Sequence, residues 1–176
     1  MKIGVFDSGL GGLLITRSLT YTLPEYDYLY LGDTAHLPYG NRSQESIYQL
    51  TRRAVLYLCK EGCGLIIIAC NTASAEALRR IQQYDIPAAF PDRRVLGVLV
   101  PAAEAAVTAA GQHGQIGILA TASTVRSGAY LREIQKLAPA MIIRQQEAPL
   151  LVPLIENNEP EQIEPVLNRY LEPLIA

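Results

Sequence analysis

The 176-residue sequence holds only three cysteines and two histidines, and it has neither a long apolar run nor a basic stripe. An odd cysteine count without framework spacing excludes a disulfide scaffold and fits reduced thiols in the cytoplasm. His36 and His113 do not stand at ligand spacing from one another or from Cys59, Cys63 and Cys70. Structural zinc normally wants four N or S ligands, so no metal is expected, and Cys59 and Cys63 read as packing residues of one helix. Lys and Arg occur singly or in pairs, and the net charge is −2. That balance excludes a phosphate-neutralising surface, so no nucleic-acid partner is expected. The opening "MKIGVFDSGLGG" is too short an apolar run for a signal peptide, and Asp7 interrupts it. Leu96–Ala110 contains Pro101 and Glu104 and falls short of a membrane span. A soluble cytoplasmic protein with no membrane partner is expected.

With 49% apolar and 18% charged residues and no low-complexity run, the chain can bury one good core, or one domain plus part of another. Short β-branched runs alternate with longer helical patterns. Strands are predicted at Ile3–Phe6, Tyr26–Leu31, Leu65–Ala69, Val95–Val100, Ile116–Ala120 and Ala140–Gln145. A helix follows "DSGLGG" and stops before Pro24. Ser43–Glu61 carries apolar residues at helical period (Ile47, Leu50, Ala54, Leu58) with Ser43 as N-cap. Helices are also predicted over Thr72–Gln83, Pro101–Ala110 and the segment after Thr121, and "LLVPLIENNEPEQIEPVLNRYLEPLIA" reads as one or two helices broken by Pro160. This alternation gives an α/β fold of parallel sheets flanked by helices. A boundary near residue 97 divides a first unit, 1–97, from a second, 98–176, whose two strands look unfinished. An exposed, unfinished sheet face favours self-association, so a homodimer is expected.

In such sheets ligands bind beyond the carboxyl ends of the strands. The loops there carry Asp7-Ser8-Gly9, Gly32-Asp33-Thr34, Pro38-Tyr39-Gly40, Cys70-Asn71-Thr72 and Thr121-Ala122-Ser123-Thr124. Cys70 follows a strand at the start of a helix, where the dipole and orphan N–H groups favour a thiolate and lower a thiol pKa. A buried structural cysteine is the competing reading. Asp7 can cap the following helix or serve a ligand. The glycines of "GLGG" lack the order of a phosphate loop and suit close approach of backbone to a small ligand or of helix to sheet. Taken by itself Tyr39 is a turn aromatic, and "ATAST" offers either carboxylate-binding hydroxyls or helix caps.

Together, "GVFDSGLGG", "LGDTAHLPYGNRS", "IIIACNTASAEAL" and "IGILATASTVRSGAY", in this order and spacing, resemble the cofactor-independent aspartate/glutamate racemase family, glutamate racemases most closely. The resemblance implies two pseudo-symmetric α/β domains, glutamate as the small-molecule substrate, and D-glutamate made for peptidoglycan without pyridoxal phosphate or metal. One thiolate takes the α-proton and a second thiol returns a proton to the opposite face. By resemblance Cys70 is the first thiol, and Asp7 acts on it or on the substrate amino group. Asp7, Ser8, Pro38, Tyr39, Gly40, Cys70, Asn71, Thr72, Thr121 and Thr124 hold the substrate, and Glu156 in "PLLVPLIE" lies near the site.

The second thiol of the family lies in a Cys-Thr-His segment, and no such segment occurs in these residues. Ala148 and Val100 also depart from the family's pattern, the first where relatives often carry cysteine, the second where they often carry a carboxylate. The expectation is a truncated racemase with little activity by itself. The alternatives are a sibling racemase for aspartate or another amino acid, and a non-catalytic fragment that binds an amino acid or a partner.

Overall fold

The computed structural model describes residues 1–111 and 113–175. Six strands alternate with helices: β1 Lys2–Asp7, α1 Gly12–Thr22, β2 Asp27–Gly32, α2 Gln44–Lys60, β3 Cys63–Ile68, α3 Asn71–Glu76, α4 Leu78–Arg80, α5 Ile86–Ala89, β4 Arg94–Gly97, α6 Leu99–Ala110, β5 Gln115–Ala120, α7 Ala122–Ser127, α8 Ala129–Leu137, β6 Ile142–Glu147, α9 Leu151–Glu156 and α10 Pro160–Ile175. Two single 3-10 turns, Thr34–His36 and Tyr39–Asn41, follow β2. The chain divides into two compact units, Met1–Val98 and Leu99–Ala176.

The first unit is a four-stranded parallel sheet in the order β2-β1-β3-β4. Alternation along the strands gives each face its own core. Phe6, Ile66, Ile68 and Val95 point toward α2 and the helices after Cys70, where Ile47, Leu58 and Ile81 are fully buried. Ile3, Val5 and Ala69 occupy the other face, with Ile15 and Leu19 of α1 and the ring of Tyr28 against them. Ser43 caps α2 as its sequence predicts, its hydroxyl accepting from the Ser46 N–H at 3.3 Å. The second unit is built on the parallel pair β5-β6. Ile134 of α8 and Ala103 of α6 pack with Ile116, Ile118 and Ile143. Against the opposite face lies α10, where Arg144 donates to the Leu174 carbonyl at 3.3 Å.

Several element boundaries shift by a residue or two from the sequence reading, and four differences have a local reason. The fourth strand ends at Gly97 rather than Val100, and the next helix starts at Leu99. A Cβ at Gly97 would meet Leu78 Cδ2 at 2.7 Å and Ser74 Oγ at 2.8 Å, so helix crowds sheet here. Pro101 then lies in the first turn of α6, where its missing N–H costs no hydrogen bond. The helix after Cys70 runs past Gln83 to Ala89 through a π stretch, Ile81–Asp85. Pro87 cannot donate to the turn behind it, and the wider Ile86 N–H to Ile81 O closure accommodates its ring. The sixth strand begins at Ile142 rather than Ala140, because Ala138–Met141 closes a turn (Met141 N–H to Ala138 O, 3.0 Å). Finally, Pro160 opens α10 instead of breaking a helix, and the break is at Asn158, which adopts a left-handed φ of 55°. Ala176, the end of that pattern, lies outside the described residues.

Candidate active site

Because β2, β1 and β3 are parallel neighbours, their carboxyl ends deliver three loops to one edge of the sheet. Asp7 pairs in register with Gly32, and the Asp33 N–H donates to the Asp7 carbonyl at 2.9 Å. On the other side the Ala69 N–H donates to the Phe6 carbonyl at 2.7 Å. The sequence-predicted residues Asp7, Ser8, Pro38, Tyr39, Gly40, Cys70, Asn71 and Thr72 all belong to these loops.

Cys70 is 7% exposed and is the N-cap of α3, in extended conformation (φ −79°, ψ 121°). Its Sγ accepts from the Ala73 N–H at 3.4 Å and lies 3.2 Å from Ser8 Oγ. The expectation of a lowered thiol pKa is overturned. Burial, and then the charge of Asp7, push the thiol up, against weaker opposing pulls from the Ser8 hydroxyl and the Ala73 and Ser8 amides. The helix start supplies hydrogen bonds, yet a thiolate here is out of water and beside a carboxylate. The result is a thiol that holds its proton tightly and is a correspondingly strong base once ionised.

Asp7 is buried, and its Oδ2 accepts from the Gly12 N–H at 2.8 Å, the first N–H of α1. It therefore caps a helix and acts electrostatically on Cys70 at once, so the two readings of Asp7 coexist. A side chain at Gly12 would place its Cβ 2.6 Å from Asp7 Cβ, which is why this helix starts on glycine. Tyr30 Oη donates to the Gly9 carbonyl at 2.8 Å and anchors the same loop from β2. In the first turn of α3, Thr72 and Ser74 are buried, and Ser74 Oγ donates to the Ile68 carbonyl at 3.0 Å.

Tyr39 opens a 3-10 turn, so it is a turn aromatic, and it is also a core residue. It is 2% exposed, its ring meets Phe6 at 6.3 Å between centroids, and its hydroxyl donates to Asp33 Oδ2 at 2.7 Å. Burial and then Asp33 push its ionisation far up, and the charge of Cys70 acts in the same direction, so hydroxyl and thiol are within electrostatic reach. Pro38 precedes it in extended conformation, and Gly40 is buried. The sequence places Asp33 among the strand-end polar groups without a role of its own, and weighs His36 only as a metal ligand. The signal was there in "LGDTAH", a carboxylate leaving β2 beside the one that ends β1.

In the second unit Thr121 occupies the position Cys70 has in the first, the N-cap after a strand. Its Oγ1 accepts from the Thr124 N–H at 3.3 Å and lies 3.0 Å from Thr124 Oγ1. Thr124 and Ser123 are buried. Glu156 is the last residue of α9 and is partly exposed. Cys59 and Cys63 are buried free thiols in the core of the first unit, but not on one helix as expected: Cys59 lies in the last turn of α2 and Cys63 opens β3 after the turn at Gly62. Among the described residues no group of three or more His, Cys, Asp or Glu could hold a metal ion, and no helix is long and apolar enough to cross a membrane.

No family model matches the chain. Individual proteins do. The chain is 42% identical over 178 residues to the glutamate racemase of Synechocystis sp., covering 99% of this chain and 60% of that protein. To the glutamate racemase of Ruegeria pomeroyi it is 40% identical over 185 residues, covering 99% of this chain and 67% of that protein. Among solved structures, the glutamate racemase of Francisella tularensis in complex with D-glutamate superposes with a TM-score of 0.85 at 34% identity, over 97% of this chain and 62% of that one. The chain thus spans about three-fifths to two-thirds of the length of these proteins. Since that match takes in nearly all of this chain and 67% of the Ruegeria pomeroyi protein, the chain belongs to the glutamate racemase family.

Proposed function

We propose that the strand-end site around Cys70 binds glutamate and exchanges its α-proton, as the first of the two thiol half-sites of a cofactor-independent racemase that interconverts L- and D-glutamate. The observation that carries this reading is the Cys70 thiol, held 3.2 Å from Ser8 Oγ at the cap of α3 and raised by burial and Asp7. D-glutamate in the Francisella tularensis structure supports the ligand. Asn71, Thr72 and the Pro38-Tyr39-Gly40 loop hold the carboxylates, and Asp7 and Ser8 face the amino group. Supply of D-glutamate for peptidoglycan in the cytoplasm belongs to the same reading.

Chemically, the Cα–H bond breaks as the S–H bond of Cys70 forms, and the electron pair moves into the α-carboxylate, where fixed N–H and hydroxyl donors stabilise it. Inversion then needs an acid on the opposite face. The other two cysteines of these 176 residues, Cys59 and Cys63, lie in the core of the first unit, so net racemisation by this chain alone is slow.

The test follows glutamate in D2O by proton NMR and by amino-acid circular dichroism. Cys70-dependent loss of the α-proton signal, with optical rotation changing much more slowly, is the expected result. Exchange that survives Cys70→Ser, or failure of either enantiomer to bind by calorimetry, overturns the proposal.

A further inference from the structure

Both oxygens of one carboxylate, Asp33, are engaged in the loop between β2 and α2. Asp33 leaves β2 with its N–H tied to the Asp7 carbonyl at 2.9 Å. A carboxylate only accepts, so His36 Nδ1, at 2.7 Å from Asp33 Oδ1, carries the hydrogen of that contact. Asp33 Oδ2 takes the Tyr39 hydroxyl at 2.7 Å. The two oxygens thereby grip the first and second 3-10 turns after β2, one each. Arg42 closes the far side, its Nε donating to the His36 carbonyl at 2.9 Å and its N–H to the Tyr39 carbonyl at 3.0 Å. With Tyr39 buried against Phe6, the side chain of the Pro38-Tyr39-Gly40 loop points into the core, and the loop has main chain left to offer a ligand.

We propose that Asp33 is a positioning residue, a two-pronged clamp on His36 and Tyr39 that fixes the Pro38-Tyr39-Gly40 loop beside Cys70. The proposal rests on the reading of that loop as part of the glutamate site. Hydrogen bonds to an ionised carboxylate are the strong kind, and two of them from successive turns add to the Arg42 contacts and the packing of Tyr39 on Phe6 in restraining this segment. Asp33 acts through Tyr39 and does not itself touch substrate.

The experiment uses the full 176-residue chain and four variants: Asp33→Ala, Asp33→Asn, Tyr39→Phe and the double Asp33→Ala/Tyr39→Phe. Tyr39→Phe keeps the ring in the core and guards against a misfolding artefact of the Asp33 changes. Amide hydrogen exchange at Arg42, whose N–H reports the Tyr39 turn, rises about tenfold in Asp33→Ala and in Tyr39→Phe, while exchange at Ala73 beside Cys70 is unchanged. The double variant exchanges no faster than Asp33→Ala, because the bond that Tyr39→Phe removes is one of the two already lost with the carboxylate. Asp33→Asn, which keeps one acceptor oxygen, falls between. Glutamate dissociation constants follow the same order. Unchanged Arg42 exchange in Asp33→Ala, or additive losses in the double variant, overturns the clamp. If exchange responds as stated while the unsubstituted chain binds neither enantiomer, the clamp stands and the glutamate reading of the loop fails.

Discussion

Ser8 Oγ and Cys70 Sγ are 3.2 Å apart across 62 positions of sequence, a polar link between the loops that leave β1 and β3. The hydroxyl opposes the two influences that raise the thiol, burial and Asp7. Alkylation of Cys70 by iodoacetamide, followed against pH by mass spectrometry, therefore has a midpoint above the ordinary cysteine value of about 8.5. Asp7→Asn lowers the midpoint and Ser8→Ala raises it. A midpoint at or below the ordinary value in the unsubstituted chain contradicts the electrostatic account.

All three cysteines are pushed up by burial: Cys59, Cys63 and Cys70. A thiol whose pKa is higher folded than unfolded keeps its proton in the folded state after the unfolded chain has lost it. Its contribution to stability is whole below the unfolded value of about 8.5 and falls as pH rises from there toward the folded value. Buried Tyr39 and Tyr48, raised in the same way, extend the loss above about pH 10. Urea midpoints measured from pH 7 to 10.5 decline steadily beyond pH 8.5; a flat profile refutes the assignment.

At Gly12 α1 comes close to the sheet, with Asp7 Cβ 2.6 Å and Ala69 Cβ 3.2 Å from where a Cβ of its own would stand. Gly12→Ala forces helix and strand apart, costs about 2 kcal/mol, and lengthens the bond to Asp7 Oδ2. For a chain of this size that lowers the melting temperature by about 4–8 °C. Gly62→Ala, with open space around its Cβ but φ of 86°, destabilises through backbone strain alone, by about 1 kcal/mol. Thermal denaturation of the two variants separates contact from conformation.

Most of the architecture was legible because period and punctuation agree. The apolar spacing of α2, its Ser43 cap and the β-branched runs of β1 and β3 each point one way, and tertiary packing endorses them. The errors fall where neighbours override local signal. Gly97 ends its strand because Leu78 and Ser74 fill the space a side chain would need, and no pattern in "VLGVLV" reveals that. The position of Cys70 at a helix cap was readable; its raised pKa was not, since burial and the approach of Asp7 depend on the folded sheet. Asp33 is readable as a strand-end group, but its role is not, for the same reason. Its partners, His36 and Tyr39, are close in sequence, yet only the two 3-10 turns bring both onto one carboxylate.

Cys70 and Thr121 are N-caps of helices that follow parallel strands, and they differ in the quality of the cap. Thr121 Oγ1 accepts from the Thr124 N–H at 3.3 Å and lies 3.0 Å from Thr124 Oγ1, whereas Cys70 Sγ accepts from Ala73 at 3.4 Å with a sulfur, a weak acceptor. Thr121→Ala accordingly costs about 1 kcal/mol. Cys70→Ser runs the other way, since a serine hydroxyl is a favoured N-cap and the pocket is already polar at Ser8, so stability is unchanged or rises by up to about 1 kcal/mol. The substitution separates fold from chemistry: α-proton exchange is lost in a chain at least as stable as the original. Denaturant titration beside the NMR exchange assay measures both. A Cys70→Ser chain destabilised by more than about 1 kcal/mol shows that the thiol serves packing more than capping, and its loss of exchange is then no evidence for the thiol as base.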